Sequence, residues 1–393
     1  MDKKPILPDK FLCTGCGACA CSCPKDCLTM VADAEGFPYP VPTNPTACIH
    51  CNVCAAVCPV NSPASVPERK PQAYAAYCTD NALRMDSSSG GLFSLLALNV
   101  LSSGGCVFGA AYDDAFRVTH ICVDDASQLF RLRGAKYAQS NLRSVFREVK
   151  EYLQEARLIL FSGTPCQVAG LKSYLGREYE NLICVDFVCH GVPSPLAWET
   201  YVTYRSEKDH NGQLPISINL RSKETGWSRY QYCNTFTYPS GKTHIAKNGD
   251  SSFMQLFVGN YISRPSCENC SFKGYSRSSD ITIGDFWGIW DISPDMDDNK
   301  GTSVVLLHTE KAASHFHQIS EQLVYRPVTL EQTSIQNPSM LVSSPANPMR
   351  SSAFSALQNG DWDKCASVLL PPPTTTYKKV KRLLLRLLKN NLS

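Results

Sequence analysis

The sequence contains no apolar run long enough to cross a membrane. A membrane-spanning helix needs about 18 consecutive apolar residues, and no uninterrupted stretch of the 393-residue chain approaches that length. The glycine-rich motifs G-x-G-x-x-G after a strand and G-x-x-x-x-G-K-[ST] are also missing, so dinucleotide-dependent and nucleotide-hydrolysing enzymes lose their main support. The first residues, MDKKPILPDKF, are charged and proline-containing, unlike the apolar core of a secretory signal. We therefore expect a cytoplasmic protein.

Outside its C-terminal segment, the chain has no excess of positive charge. The formal net charge is +3, whereas residues 377–393 alone contain four lysines, two arginines and no acid. These six positive charges leave the rest of the chain at −3. Because a basic surface is the electrostatic signature of nucleic-acid binding, we expect no nucleic-acid partner.

The basic C-terminal segment, YKKVKRLLLRLLKNNLS, has the pattern of an amphipathic helix. Val380, Leu383 and Leu387 recur at helical spacing, and Arg382 and Arg386 fall on the opposite face. Such a helix binds an anionic membrane surface or an acidic partner. The pattern equally suits a terminal helix packed on its own domain. The sequence leaves both interpretations open. If the helix binds a membrane, we expect a peripheral contact at its inner face.

Cysteine is abundant and unevenly distributed. Ten of the twenty cysteines fall within residues 13–58, and in a reducing compartment clustered thiols favour metal binding over disulfides. Two runs, CTGCGACACSCP and CIHCNVCAAVCP, follow C-x2-C-x2-C-x3-C-P, the spacing of ferredoxins with two 4Fe-4S clusters, in which the fourth cysteine of each run binds the other cluster. This pattern assigns Cys13, Cys16, Cys19 and Cys58 to cluster one, and Cys48, Cys51, Cys54 and Cys23 to cluster two.

Zinc is the alternative interpretation of paired C-x2-C motifs. A zinc site needs four ligands, however, and here eight cysteines fall in two equivalent runs, each closed by Cys-Pro. The pattern therefore favours two iron–sulfur clusters. Cys21 and Cys27 are left over and are interpreted as packing residues.

The rest of the chain has the pattern of a larger mixed domain. Residues 61–72, NSPASVPERKPQ, are rich in proline and poor in apolar residues, which predicts a linker. Beyond them, short apolar strands such as GCVFGAAY and LILFSG alternate with helical patterns at 91–102, 141–155, 166–176 and 195–208. We expect an α+β protein, a small bacterial-ferredoxin-like domain followed by a mixed α/β flavoprotein domain.

Four segments of this larger domain carry residues suited to chemistry: DSSSGG, LRGAKYAQS, SGTPCQVAGL with VCHGVPSP, and PSCENCSFKGYSRSSDITIGDFWG. The Ser-Gly run before a helix can cradle a phosphate, although such runs also simply cap helices. Cys166 follows Thr164 and Pro165 at a predicted helix N-terminus, where the dipole favours a thiolate. It could pack, attack a substrate or bind metal. With Cys189, Cys267 and Cys270 it completes a set of four thiols, the number that a third 4Fe-4S cluster requires.

Taken together and in this order, SSSGG, GAKY, SGTPCQVAGL, CHGVPSP and C-x2-C followed by DITIGDFWG resemble the coenzyme F420 hydrogenase/dehydrogenase beta-subunit family, here with an N-terminal two-cluster ferredoxin domain. The resemblance covers about residues 1–300 and implies FAD and iron–sulfur clusters as cofactors. The FAD contacts that it implies are Ser88, Ser89, Gly90, Gly91, Lys136, Tyr137 and Thr164. It also implies that Cys166, Cys189, Cys267 and Cys270 bind a third cluster. His190 is a candidate proton donor to the flavin, with a purely structural loop histidine as the alternative.

These observations predict an iron–sulfur flavoprotein oxidoreductase that passes electrons between a ferredoxin-like donor and a small organic substrate, with a deazaflavin as one option. The alternatives are an electron-transfer subunit of a larger hydrogenase or dehydrogenase complex, and a redox-responsive binding protein whose clusters are structural. The predicted domains are a ferredoxin-like domain at 1–62, a linker at 63–72, a flavin-binding half at 73–155, a C-terminal half at 156–340 with the third cluster, and a tail at 341–393 that contains the basic helix.

Overall fold

The computed structural model describes residues 7–63, 70–228 and 231–369. Its α-helices are α1 Ala18–Cys21, α2 Val53–Ala56, α3 Asn81–Met85, α4 Leu92–Ser102, α5 Val145–Gln154, α6 Pro165–Leu175, α7 Pro195–His210, α8 Ser252–Val258, α9 Ile289–Ile292, α10 Glu310–Gln318, α11 Leu330–Ser334, α12 Arg350–Leu357 and α13 Trp362–Leu369. Its strands are β1 Leu28–Ala32, β2 Pro38–Pro42, β3 Gln72–Cys78, β4 Cys106–Tyr112, β5 Val118–Val123, β6 Ile159–Ser162, β7 Leu182–Phe187, β8 Ser217–Ser222, β9 Cys233–Thr237, β10 Thr243–Lys247, β11 Ile281–Asp285, β12 Ser303–Leu307 and β13 Leu323–Pro327. Short 3₁₀ turns cover Pro45–Ala47, Ala126–Arg131, Asn248–Asp250, Pro265–Cys267, Pro294–Met296, Ser320–Gln322 and Pro338–Met340.

The N-terminal region has the two-fold pseudo-symmetry of a ferredoxin-like domain. Its hairpin pairs β1 with β2 antiparallel, and each cysteine run leads into a one-turn helix, α1 or α2. Gly15 and Gly17 in the first run have positive φ, and His50 and Asn52 have positive φ at the equivalent positions of the second run. Residues alternating between left-handed and ordinary backbone turn successive N–H groups inward, a geometry that binds anions and iron–sulfur clusters. The predicted small ferredoxin-like domain is confirmed.

The larger domain is built on one mixed sheet of eight strands, in the order β13-β3-β12-β11-β7-β6-β4-β5. Strands β4, β6, β7 and β11 run parallel, and β5, β12 and β3 are antiparallel to their inner neighbours. Parallel strands are buried on both faces and therefore read as continuous apolar runs, which is why the sequence reveals LILFSG and NLICVDFVC. The predicted α+β class is confirmed.

The chain beyond residue 300, in which the sequence shows no motif, forms part of this same sheet. Strand β12 lies between β11 and β3, and β13 closes the edge beside β3. All five residues of β12 are buried. Both predicted halves of the larger domain, 73–155 and 156–340, therefore contribute strands to a single sheet.

A second core joins the three-stranded sheet β10-β9-β8 to helices α7, α8, α12 and α13. Trp362 of α13 is 2% exposed, and its ring centroid lies 4.7 Å from that of Tyr201 in α7. The prediction of a tail from residue 341 is therefore wrong for this part of the chain, because α12 and the first turn of α13 bury apolar side chains in this core. The predicted basic helix at 377–393 lies outside the described residues.

Candidate functional site

The parallel strands bring several loops to one edge of the sheet. Strands β6, β7 and β11 run in the same direction, so the segments that follow them leave from the same edge. Ligands in α/β proteins bind at this carboxyl edge. A cavity of about 1090 Å³ opens there, lined by residues from the segments after β6, β7 and β11 and from the serine-rich segment after β3.

The predicted flavin contacts that line this cavity are Ser88, Ser89, Gly91, Lys136, Tyr137 and Thr164. Gly90 is the exception, because it packs between two strands. A Cβ at Gly90 would lie 2.5 Å from the Ala76 carbonyl oxygen, and its N–H donates to Ser303 Oγ at 2.9 Å. The glycine at this point of the motif therefore serves sheet packing, and Gly90 is not among the residues that line the cavity.

The hydroxyls of the serine run differ in what they can offer a ligand. Ser89 Oγ donates to the Thr302 carbonyl at 2.9 Å, and Ser87 Oγ donates to the Leu83 carbonyl at 2.8 Å. Ser88 Oγ is buried and has no hydrogen-bond partner among the described residues. Since buried polar atoms are nearly always hydrogen-bonded, Ser88 is the member of the run best placed to contact a ligand.

A hydrogen-bonded chain fixes the loop after β6. The Thr164 N–H donates to Gln167 Oε1 at 2.9 Å, Gln167 Nε2 donates to Ser140 Oγ at 3.0 Å, and Ser140 Oγ lies 2.8 Å from His120 Nδ1. His120 Nε2 lies 3.0 Å from the Ser162 carbonyl oxygen, which sets the tautomer with the proton on Nε2. Burial lowers the pKa of His120 to about 4, so this network holds the Thr164 loop with a neutral imidazole.

Lys136 faces the same cavity with little solvation. Its Nζ donates to the Arg133 carbonyl at 2.7 Å, and no ion pair of Lys136 occurs within the part of the chain that the structure describes. Burial lowers its pKa to about 7. An anionic group bound nearby would restore the charged form.

An aromatic and cationic wall that the sequence analysis missed completes the cavity. Arg221 on β8 donates to Tyr137 Oη at 3.0 Å and to Asp285 Oδ2 at 2.9 Å. Its guanidinium carbon lies 4.5 Å from the ring centroid of Trp227 and 4.1 Å from that of Tyr232. Arg221 Nε is buried with no partner among the described atoms. The only sequence signal was a tryptophan among cations in LRSKETGWS, a segment with the polar composition of an exposed turn.

The four cysteines predicted to bind a third cluster line one small cavity beside the large one. Cys166 follows β6, Cys189 follows β7, and Cys267 and Cys270 precede β11. Burial raises the pKa of Cys166 to about 12, with a further increase from Cys270 and Cys267 and an opposing hydrogen bond from Thr164. The helix dipole predicts a thiolate at Cys166, but in the free thiol burial outweighs it. Such a thiol is a poor nucleophile, whereas a metal would deprotonate it outright.

Three cations line the same small cavity: Arg264, Lys273 and Arg277. Lys273 Nζ donates to the carbonyls of Cys189 and Ser339. Arg277 Nη1 lies 3.4 Å from Asp186 Oδ2, and its Nη2 is buried with no partner among the described residues. No carboxylate is among the cavity's lining residues in the described part of the chain. The cavity therefore combines four thiols with an excess of positive charge.

His190 lines both cavities, and both of its ring nitrogens have partners. Nε2 lies 2.8 Å from Asn260 Oδ1, and Nδ1 lies 3.3 Å from Ser339 Oγ. Burial lowers its pKa. A proton transfer from His190 would have to break one of these bonds, so its geometry favours a structural role.

The cysteines of the two N-terminal runs approach one another crosswise. Burial raises the pKa of Cys19 to about 12, and after burial the largest contributions come from Cys13 and Cys58. Burial also raises the pKa of Cys54, with a contribution from Cys23. The last cysteine of each run thus lies near the other run. Of the two leftover cysteines, Cys27 donates its backbone N–H to Cys23 Sγ at 3.2 Å, and Cys21 contacts the Arg143 carbonyl at 3.7 Å.

Two family profiles match the regions just described. Residues 12–62 match the 4Fe-4S dicluster domain, and residues 156–332 match the C terminus of the coenzyme F420 hydrogenase/dehydrogenase beta subunit. Residues 156–332 therefore carry the C-terminal domain of this beta-subunit family, and a dicluster domain precedes it in the chain. The chain is an iron–sulfur electron-transfer protein related to the F420 hydrogenase beta subunit, and the second profile spans the segments that hold Cys166, Cys189, Cys267 and Cys270.

Among solved structures, a similar chain occurs in the F420-reducing NiFe hydrogenase complex from Methanosarcina barkeri. The two chains share 13% identity, and the alignment covers 76% of this chain and 91% of that chain with a TM-score of 0.45. A search of curated proteins found no match.

Residues 7–63, 70–228 and 231–369 contain neither a site for a single metal ion nor a membrane-spanning helix. No group of three or more His, Cys, Asp or Glu side chains in this part of the chain could hold a single metal ion. In a 4Fe-4S cluster the four thiolates bind four different irons, so a cluster does not require thiols gathered around one ion. No helix in the same ranges has the length and apolar character needed to span a membrane.

Proposed function

We propose that this protein is an iron–sulfur flavoprotein oxidoreductase with a third 4Fe-4S cluster between its dicluster domain and a bound FAD. Iron–sulfur clusters carry single electrons and a flavin can collect two, so together they connect a one-electron donor to a two-electron organic acceptor. A ferredoxin-like protein is the proposed donor. The substrate is a small organic molecule that fits beside the flavin, with a deazaflavin as one option.

The observation that carries this proposal is that Cys166, Cys189, Cys267 and Cys270 share their cavity with cations, of which Arg264 is 1% exposed. Within the described residues, Arg264 and Lys273 bond to carbonyl, amide and sulfur atoms and to no carboxylate. Buried cations without a countercharge are costly. A cluster held by four thiolates carries net negative charge and would supply that countercharge.

The large cavity supports the flavin part of the proposal. Its volume of about 1090 Å³ lies just above the usual range of about 300–1,000 Å³ for ligand sites, so a large cofactor would fit. Ser88 Oγ, Arg133 Nε and Arg221 Nε are buried in its wall without partners among the described residues. Polar oxygens of a bound cofactor would satisfy them. Ser88, Lys136 and Arg221 are therefore the residues proposed to hold the polar groups of FAD.

A second candidate function is an electron-transfer subunit within a larger hydrogenase or dehydrogenase complex. Apolar side chains lie exposed beside the dicluster cysteines: Phe11 and Ile49 are each 58% exposed, and Leu12 is 41% exposed. These residues adjoin Cys13 and Cys48 in the chain and offer contact area to an electron-transfer partner. A donor protein and a permanent subunit would both use such a surface.

Anaerobic purification followed by iron, acid-labile sulfide and flavin analysis tests the proposal. Three clusters and one FAD predict about 12 irons, about 12 sulfides and one flavin per chain. About 8 irons without flavin would contradict both the third cluster and the flavoenzyme, and would favour the redox-responsive binding protein. The bound flavin is then reduced with dithionite-reduced ferredoxin, and the reduced protein is screened against candidate oxidants. Turnover with one of them indicates an enzyme that acts alone, whereas no turnover indicates a subunit that is inactive outside its complex.

A further inference from the structure

Arg264 lies between the dicluster domain and the cavity of the proposed third cluster. It is 1% exposed and stands three residues before Cys267, whose N–H donates to the Arg264 carbonyl at 3.0 Å. Arg264 lines the small cavity together with Cys166 and Cys189. Arg264 therefore lies in the wall of the cavity proposed for the third cluster, and its carbonyl holds the turn that carries Cys267.

The same guanidinium binds the first cysteine of the chain's first run. Its Nε donates to the Cys13 carbonyl at 2.8 Å, and its Nη2 lies 3.8 Å from Cys13 Sγ and donates to the Pro38 carbonyl at 3.0 Å. Gln139 Oε1 accepts from Nη1 at 2.8 Å, and the ring of Tyr39 lies 4.2 Å from the guanidinium carbon. These contacts hold the charge in a single position.

Close packing brings the first cysteine run against Arg264 and against the helix that carries Cys166. A Cβ at Gly15 would lie 2.8 Å from Arg264 Nη1, so only glycine fits there. On the neighbouring helix α6, a Cβ at Gly170 would lie 2.8 Å from Cys16 Sγ. Gly170 is four residues, about one helical turn, beyond Cys166. A proposed ligand of cluster one therefore touches the helix whose first turn carries a proposed ligand of the third cluster.

We propose that Arg264 is a shared countercharge that raises the reduction potentials of cluster one and of the third cluster together. This inference rests on the proposed function, because it requires the third cluster. Cluster potentials depend on net charge, hydrogen bonds to sulfur and burial, and adding an electron makes each cluster more negative. A fixed buried cation that contacts both sites stabilises the reduced form of each.

Redox titration followed by electron paramagnetic resonance tests this inference in the full-length protein. In Arg264→Gln the midpoint potentials of cluster one and of the third cluster are both expected to fall, while that of cluster two stays unchanged. Arg277→Gln is the matched control, since Arg277 lines the third site and has no contact with Cys13. In this control only the third-cluster potential should fall.

The outcomes separate this inference from the function on which it rests. A wild-type protein with about 8 irons and no third signal contradicts the proposed function itself. If the wild type shows the signals of three clusters, but the potential of cluster one or of the third cluster is unchanged in Arg264→Gln, the shared countercharge is wrong. The proposed function then still stands. If the Gln variant does not fold, Arg264→Met removes the same positive charge and fills the buried site with an unbranched apolar side chain. Both potentials should again fall, and a potential of cluster one or of the third cluster that stays unchanged would overturn the inference.

Discussion

Replacing Cys166 with alanine tests the central cluster of the proposed electron path. Cys166 is one of the four thiols around the small cavity, and the N–H of its neighbour Thr164 is held by Gln167. Alanine removes one ligand, so a four-iron cluster at this site should be lost or not assemble. Iron should fall from about 12 to about 8 atoms per chain, a loss of a third.

The flavin should remain bound in this variant. The hydrogen bond from the Thr164 N–H to Gln167 Oε1 does not use the cysteine side chain, and Lys136 and Arg221 stand on other segments. We therefore expect about one flavin per chain, with the two N-terminal cluster signals unchanged. Flavin reduction by the electron donor should slow, because the connecting cluster is missing. Iron analysis, absorbance and stopped-flow reduction measure these three quantities.

Cys184→Ala is the matched control. Cys184 lies on β7, is fully buried, and lines neither cavity. Its replacement should leave iron near 12 atoms per chain. An unchanged iron content in Cys166→Ala, or an equal loss in Cys184→Ala, would refute the assignment of Cys166 as a cluster ligand.

Four further predictions test other parts of the structure. Thr164→Val removes the hydroxyl that lies 3.1 Å from Cys166 Sγ, so the third-cluster potential should fall while iron stays constant, and an unchanged potential would contradict this bond. Trp362→Ala should lower the free energy of unfolding by about 3–5 kcal/mol in denaturant titrations, whereas a loss below about 0.5 kcal/mol would be the result for an unpacked tail. Lys136 binds a proton with a pKa of about 7 before a ligand arrives, so affinity for FAD, measured by fluorescence quenching, should weaken as the pH rises above about 7, and Lys136→Met should remove that dependence. His190→Gln should slow turnover less than about tenfold, because the ring is bonded on both sides, whereas a loss of about 10²- to 10⁴-fold would identify it as a general acid.

Features that depend on neighbours along the chain could be predicted from the sequence alone. The spacing of the two cysteine runs specifies a dicluster domain, because each run wraps a cluster with residues a few positions apart. The apolar run of β6, followed by Thr164 and Pro165, likewise specifies a strand and a helix start. The sequence did not predict strands β12 and β13, because they carry no chemical motif. Their place in the sheet depends on the strands with which they pair.

Which distant residues meet is a property of the folded chain. The parallel strands β6 and β7 place Cys166 and Cys189 at one edge of the sheet, and the bridge between Pro193 and Ser263 brings Cys267 to the same cavity. The docking of the dicluster domain places Arg264 against Cys13. Gly90 belongs to a motif that resembles a phosphate cradle. In the folded chain, however, Ala76 and Ser303 on neighbouring strands leave no room for a side chain at this position, so the glycine is needed for packing. Contacts between segments more than 200 residues apart depend on the strand order, which no local pattern encodes.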